Sequence, residues 1–406
     1  MSAWEQIEGH IAAPAGFRAA AVAAGIKKAK GALDLALIVS DSETTSAAGM
    51  FTTNLAAAAP VQISKQHLAQ SRGQARAVIV NAGNANAATG RAGLDISRKT
   101  AQAVAKLLKI PAEQVLVAST GVIGVPLKLE RITRKLPALA AALAGKGGDA
   151  AARAIMTTDT FPKSCVVRSE VSGRPVHIAG IAKGAGMIHP RMATMLSFIT
   201  TDAAINPRML QSMLAEAVEG SFNRVSVDGD TSTNDTVLLL ASGASGVAVR
   251  PGDPTRRWFM EGLRQVTETL AKMIARDGEG AKKLVTVEVA GARTPLDAER
   301  VGRAIANSPL VKTAIAGCDP NWGRILCAAG YSGARFDPGR MDIRVNDLYL
   351  CRRGLDTGFD EAAASREFDQ KELTLHVHLH AGSARARFWT CDLTHDYITI
   401  NASYRT

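Results

Sequence analysis

Two incompatible periodicities alternate along this chain, and their alternation limits its architecture more than any other feature. Leu373, Leu375, Val377 and Leu379 recur at every second residue, the period of a half-buried strand. Val285, Val287 and Val289 do the same around Thr286 and Glu288. Residues 76–81 (RAVIVN) form a continuous apolar run, short enough to be a buried strand. Between such runs the spacing changes to that of helices. Asn206 followed by Pro207 is a cap and a first-turn proline, Leu210, Leu214 and Ala217 follow at helical spacing, and Gly220 ends the run. Phe259, Leu263, Val266, Leu270 and Ile274 mark a second amphipathic helix. Interleaved strands and helices predict a layered α/β or α+β fold rather than a helical bundle or a β-sandwich. With aromatics at only 4%, the core must be built from Ala, Val, Leu and Ile. The Ala- and Gly-rich residues 137–152 read as a helix end plus a mobile loop around Gly145, Lys146, Gly147 and Gly148. A change of composition after Glu279 suggests a main domain over 1–283 and a smaller C-terminal one over 284–406.

The charge balance narrows the partners. A formal net charge of +11 suits nucleic acid, anionic membranes or small acidic molecules. No run of five Lys/Arg occurs and few aromatics are available to stack on bases, so nucleic acid is not expected. Carboxylate metabolites fit the charge equally well. The five cysteines are odd in number and widely spaced, without a CxxC, so a reducing cytosol is expected and neither a disulfide framework nor a zinc site. Glu5 and Glu8 near the start argue against a signal peptide, and no apolar run is long enough to span a membrane. His376, His378 and His380 lie opposite the leucine-rich face of their strand, as polar surface rather than as metal ligands. Asp228 and Asp230 open like a calcium loop, but Thr233 and Leu239 stand where its glycine and closing glutamate are needed. No metal and no cofactor is expected.

The chemistry concentrates in residues 183–202, KGAGMIHPRMATMLSFITTD. Gly184, Gly186 and Pro190 indicate an irregular loop, and residues 195–199 are apolar enough for a buried strand. Thr194 therefore stands where that strand begins, with small Ala193 before it. A threonine hydroxyl is a weak nucleophile and needs a base. In a strained loop it can attack the carbonyl of the preceding residue, and water then cleaves the resulting ester. Thr194 becomes a chain terminus whose α-amine, with a reference pKa of about 7.7–8, can act as a base near neutral pH. One cut thus makes nucleophile and base from a single residue. On pattern alone, a threonine at a strand start is equally a β-former or a cap.

A set of blocks removes that ambiguity. KGAGMIHP at 183–190 and MATML at 192–196 stand beside GFRAAAVAAGIK at 16–27, NAGNANAATG at 81–90 and STGVIG at 119–124. TTDT follows at 157–160, VDGDTSTNDT at 227–236, RDGEGA at 276–281, DPNWGRI at 319–325 and the tail INASYRT. In this order and over nearly the whole length, the chain resembles the ornithine acetyltransferases, also called glutamate N-acetyltransferases, of arginine biosynthesis. It departs from their pattern at Arg191, Cys318 and Ser403, none of which removes a catalytic group.

The resemblance implies the following. The main domain is an αββα-type sandwich of the N-terminal-nucleophile kind, and the C-terminal tail returns to the site. The chain cuts itself between Ala193 and Thr194 into an α chain, 1–193, and a β chain, 194–406, which assemble as an α2β2 heterotetramer in the cytoplasm. Thr194 accepts acetyl from N2-acetyl-L-ornithine and passes it to L-glutamate in a ping-pong reaction. Thr120 and Gly121 match the oxyanion pair; a hydroxyl and a backbone N–H suit the charge that develops on the acyl oxygen. Lys183, Thr157 or its neighbour Thr158, Glu279, Asn401 and Thr406 match substrate-binding positions, Glu279 for the ornithine amino group. Acetyl-CoA as a second donor stays open, as does the alternative of a related aminopeptidase or amidohydrolase with water as acceptor. Without the resemblance, Lys183 and Glu279 would read as solvated surface charges, and the tail as frayed.

Overall fold

The computed structural model describes residues 1–189 and 195–403. Ala193, Thr194 and Thr406 lie outside the described residues.

Three sheets carry the chain. The first has six strands in the spatial order Glu5–Ile7, Lys163–Val171, Arg174–Lys183, Leu196–Thr201, Thr236–Ala241 and Ser46–Phe51. Two of its four inner strands, Leu196–Thr201 and Thr236–Ala241, run parallel and are buried at every position, as expected of strands covered on both faces. The second sheet has four strands, in the order Phe17–Val22, Leu35–Ser40, Ala77–Asn84 and Val115–Val122. One core joins the facing sides of these two sheets: Phe17, Ile38, Val78 and Leu116 meet Leu196, Phe198, Leu238 and Leu240.

Helices close the outer sides. On the first sheet lie Pro207–Gly220 and Pro254–Arg276, which bring Leu210, Leu214, Phe259, Leu263 and Leu270 into a core with Ile178 and Ile199. Both begin as the sequence predicts for capped helices. The Asn206 side chain accepts from the Met209 N–H and the Asp253 side chain from the Thr255 N–H, each with proline in the first turn. On the second sheet lie Ala59–Gln70 and Gly90–Leu108, whose Ile63, Ala101 and Val104 pack on Leu35, Ile79 and Val117. Small residues dominate these cores, in keeping with the scarcity of aromatics.

The third sheet holds Leu355–Asp356, Leu348–Arg352, Asp342–Val345, Glu372–His378, Leu284–Ala292 and Ala384–Cys391 in that order. Its core is separate: Val285, Val287, Leu373, Leu375 and Val377 pack against Val301, Ile305 and Ile325 from helices Pro295–Asn307 and Trp322–Gly330. His376 faces the other way and pairs with Glu288, and His380 with Asp342.

As expected, the helix Leu136–Ala141 ends before the glycines and a short turn follows, tied down at Ala144. Ala19 and Ala144 exchange backbone hydrogen bonds as an isolated bridge, and a helix, Gly148–Ala154, begins at the last glycine. Two of the glycines, Gly147 and Gly148, allow close approach here. The main chain at Gly147 packs so tightly on the Ala19 carbonyl that no side chain fits between them.

Candidate active site

The loops at one end of the two facing sheets enclose a cavity of about 110 Å³. Six residues singled out from the sequence line it: Thr120, Gly121, Thr157, Lys183, Glu279 and Asn401. Thr158 lines it as well, so the one-residue ambiguity at Thr157 is not resolved by position.

Thr120 and Gly121 lie near the end of the strand Val115–Val122, which runs parallel to Ala77–Asn84 with Gly83 opposite Gly121. The ladder is irregular there. Gly121 has φ +127°, and a Cβ on it would stand 2.6 Å from the Asn84 nitrogen. Only glycine meets both conditions. The surrounding backbone is fixed by side chains. Asn81 donates to the Asn84 carbonyl at 2.8 Å and accepts from the Ser119 hydroxyl at 2.6 Å. Asn234 donates to the carbonyls of Ala85 and Ser119 at 2.7 and 2.8 Å, drawing the 227–236 loop onto the strand ends.

Lys183 ends the strand Arg174–Lys183 and is 3% exposed. Its ladder partner is Leu196, so it lies across from the chain two residues beyond Thr194. Its ammonium is 3.9 Å from the Asp159 carboxylate. Burial lowers its pKa, and the attraction of Asp159 opposes that. For Asp159, burial acts upward, but Lys183, Lys163 and the Gly184 N–H outweigh it and hold the carboxyl down at about 2.

Just before the strand Leu196–Thr201, the Met195 N–H donates to Asp235 Oδ1 at 2.9 Å. Asp235 is fully buried, and burial raises its pKa well above the carboxylate range despite that hydrogen bond. Asp228, whose pKa burial also raises, accepts from the N–H groups of Met187 and Ile188 at 2.6 and 2.8 Å and shapes the turn after Gly186.

Glu279 follows the helix Pro254–Arg276, and its N–H donates to the Ala185 carbonyl at 2.8 Å. The tail completes the wall. In the helix His395–Ser403, Asn401 donates to Glu279 Oε2 at 2.9 Å and the Tyr397 hydroxyl to Asp228 Oδ2 at 3.3 Å. Thr394 anchors this helix by donating to the Gly280 carbonyl at 2.7 Å.

Asp159, Asp235, Asn234 and Tyr397 carry no local sequence signal of a role here, although three of the four stand inside the blocks 157–160 and 227–236. Asp228 and Asp230, which lack the partners of a calcium loop, both line the cavity.

Two facing sheets under helices, with an N–H and hydroxyl pair, a buried lysine and a glutamate around one small cavity, define an enzyme of the acyl-transfer class. The ArgJ family model matches residues 18–406. The arginine biosynthesis bifunctional protein ArgJ of Symbiobacterium thermophilum is 51% identical over 404 residues, 99% of this chain and 100% of its own. That of Thermosynechococcus vestitus is 48% identical, with both chains covered in full. Among solved structures, the ArgJ crystal structure from Bacillus halodurans matches with a TM-score of 0.51 and 46% identity, over 52% of this chain and 100% of that one. The chain belongs to the ArgJ family.

Proposed function

We propose that this chain transfers acetyl from N2-acetyl-L-ornithine to L-glutamate through an ester on Thr194, after a cut between Ala193 and Thr194. The observation that carries the reading is the convergence of Thr120, Gly121, Thr157, Lys183, Glu279 and Asn401, from widely separated segments, on one cavity beside Leu196.

In this mechanism the Thr194 hydroxyl attacks the acetyl carbonyl and its α-amine takes the proton. Thr120 Oγ–H and Gly121 N–H donate to the oxyanion. As the tetrahedral species collapses, the amine returns the proton to the departing α-nitrogen of ornithine, leaving acetyl on Thr194. The amine of glutamate attacks that ester by the reverse course, and N-acetylglutamate leaves. Lys183 pairs with the substrate α-carboxylate, and Glu279, held by Asn401, receives the side-chain ammonium of ornithine. Thr157 lines the same cavity, and Thr406, outside the described residues, is proposed to bind substrate with it.

Supporting the cut, the crystallised Bacillus halodurans chain is matched in full by 52% of this one, as a piece from a chain divided near its middle would be. The helix, sheet, sheet, helix order of the cores supports an αββα-type sandwich of the N-terminal-nucleophile kind, with residues 284–406 as a smaller second domain. An α2β2 assembly in the cytosol, working without a cofactor, completes the proposal. No helix of the described residues is long and apolar enough to cross a membrane. Acetyl-CoA enters as an alternative donor to be assayed beside acetylornithine.

Thr194→Ala tests the mechanism. Intact mass and N-terminal sequencing should show one uncut chain of 42.6 kDa, without acetyl transfer. An uncut variant that still turned over normally would end the proposal. Wild-type enzyme should consume acetylornithine only when glutamate is present.

A further inference from the structure

Behind the cavity runs a chain of buried charges that the mechanism above does not use. Asp159 is at its centre, with its side chain fully buried. Its Oδ1 accepts from Lys163 Nζ at 2.7 Å and from the Gly184 N–H at 2.7 Å. Its Oδ2 accepts from the Thr157 N–H at 3.0 Å and lies 3.9 Å from Lys183 Nζ. One carboxylate therefore holds the backbone of Thr157, the residue after Lys183, and the Lys183 charge itself. Lys163 continues the chain to Asp277 at 2.5 Å, and Asp277 accepts from the N–H and hydroxyl of Thr160.

The two lysines are not equivalent. Lys163 has two carboxylates in contact. Lys183 has one ion-pair partner among the described residues, Asp159. Glu279 attracts it from further away, while Lys163 and Lys27 repel it. A buried ammonium without an adjacent anion gives up its proton rather than remain charged.

We propose that Asp159 is a positioning residue for acetyl transfer: it keeps Lys183 cationic and aimed at the substrate carboxylate, and ties Thr157 and Gly184 around it. This rests on the role given to Lys183 above. The ammonium binds a carboxylate only while protonated, so binding through it is lost as pH rises through its pKa. Burial has already lowered that pKa; removing Asp159 lowers it further, so the loss must begin at lower pH.

The test is the pH profile of kcat/KM for acetylornithine with saturating glutamate. In Asp159→Asn the alkaline limb should move to lower pH by about one unit or more, and at pH 8 KM should rise about tenfold with a smaller change in kcat. Asp277→Asn removes the same charge from the same buried chain but faces Lys163 and Thr160. It should lower the melting temperature comparably and leave the limb where the wild type has it. Should Asp159→Asn not fold, the pair Asp159→Asn with Lys163→Gln removes equal and opposite charge and should move the limb the same way by less, because the weaker repulsion from Lys163 goes too. An unmoved limb in a folded Asp159 variant, or an equal shift in Asp277→Asn, overturns the proposal. If the wild type itself transfers no acetyl from acetylornithine, it is the earlier reading that falls.

Discussion

The backbone of Gly186 packs directly on the carboxylate of Glu279: a Cβ at this glycine would stand 2.7 Å from Glu279 Oε1 and closer still to the rest of the group. The 183–190 loop and the turn after the long helix are thus fitted to each other through a missing side chain. Gly186 does not have positive φ, so alanine is acceptable to its backbone and the penalty falls on Glu279 alone. Gly186→Ala should push the carboxylate away from Asn401 and from the ornithine ammonium. A charge-assisted hydrogen bond is worth about 1.5–3 kcal/mol, so KM for acetylornithine should rise roughly 10- to 100-fold. Glutamate lacks that ammonium, and its KM should change far less. Steady-state kinetics with each substrate varied in turn checks this; an equal rise for both would remove Glu279 from ornithine recognition.

Gly121 and Thr120 should separate when each is changed. Thr120→Ala removes a hydroxyl and leaves the strand intact, so kcat should fall about 10²- to 10³-fold at nearly unchanged melting temperature. Gly121→Ala leaves every donor in place but sets a methyl against Gly83 and Asn84 at φ +127°. The strand ends must part and the Gly121 N–H turns away. Activity should fall at least as far, and the melting temperature should fall with it by several degrees, since a misfitted backbone costs about 1–3 kcal/mol. Thermal denaturation beside single-turnover kinetics distinguishes the two; a stable, active Gly121→Ala enzyme would mean that the oxyanion is held elsewhere.

What could be read from the sequence was whatever is written locally. The cap at Asn206 and the alternation through Leu373, Leu375 and Val377 depend on neighbours a few residues away, and the observed elements follow them closely. The bridge that ties Ala144 beside Gly145 was not legible because its partner, Ala19, lies far off in sequence, and glycine marks close contact as readily as freedom. The site shows the same division. Lys183, Glu279 and Asn401 could be named only through the resemblance. Their own neighbourhoods suggest solvated charges and a loose tail, yet Lys183 is almost completely buried. Asp159 and Asp277 were illegible in a stronger sense. They gain meaning from Lys163, which bonds both although Asp277 is 114 residues away.

Asp235 offers a prediction about pH whose sign is opposite to that of an ordinary paired carboxylate. It is fully buried, its Oδ1 accepts from the Met195 N–H, and burial raises its pKa well above the usual value. A carboxyl more basic when folded than unfolded binds its proton more tightly in the native state, so its contribution is complete below the unfolded value of about 3.9. It is then lost as pH rises through the raised folded value, because the native state must either bury a charge or unfold. Asparagine preserves the acceptor for Met195 and cannot ionise. Asp235→Asn should therefore match the wild type near pH 4 and grow more stable relative to it with rising pH, reaching at least about 1 kcal/mol by pH 8. Asp235→Ala, which leaves the Met195 N–H without an acceptor, should be destabilised throughout by about 1–3 kcal/mol. Melting temperatures of the three proteins from pH 4.5 to 8.5 decide it. Parallel curves for wild type and Asp235→Asn would show that this carboxyl is already ionised in the folded protein.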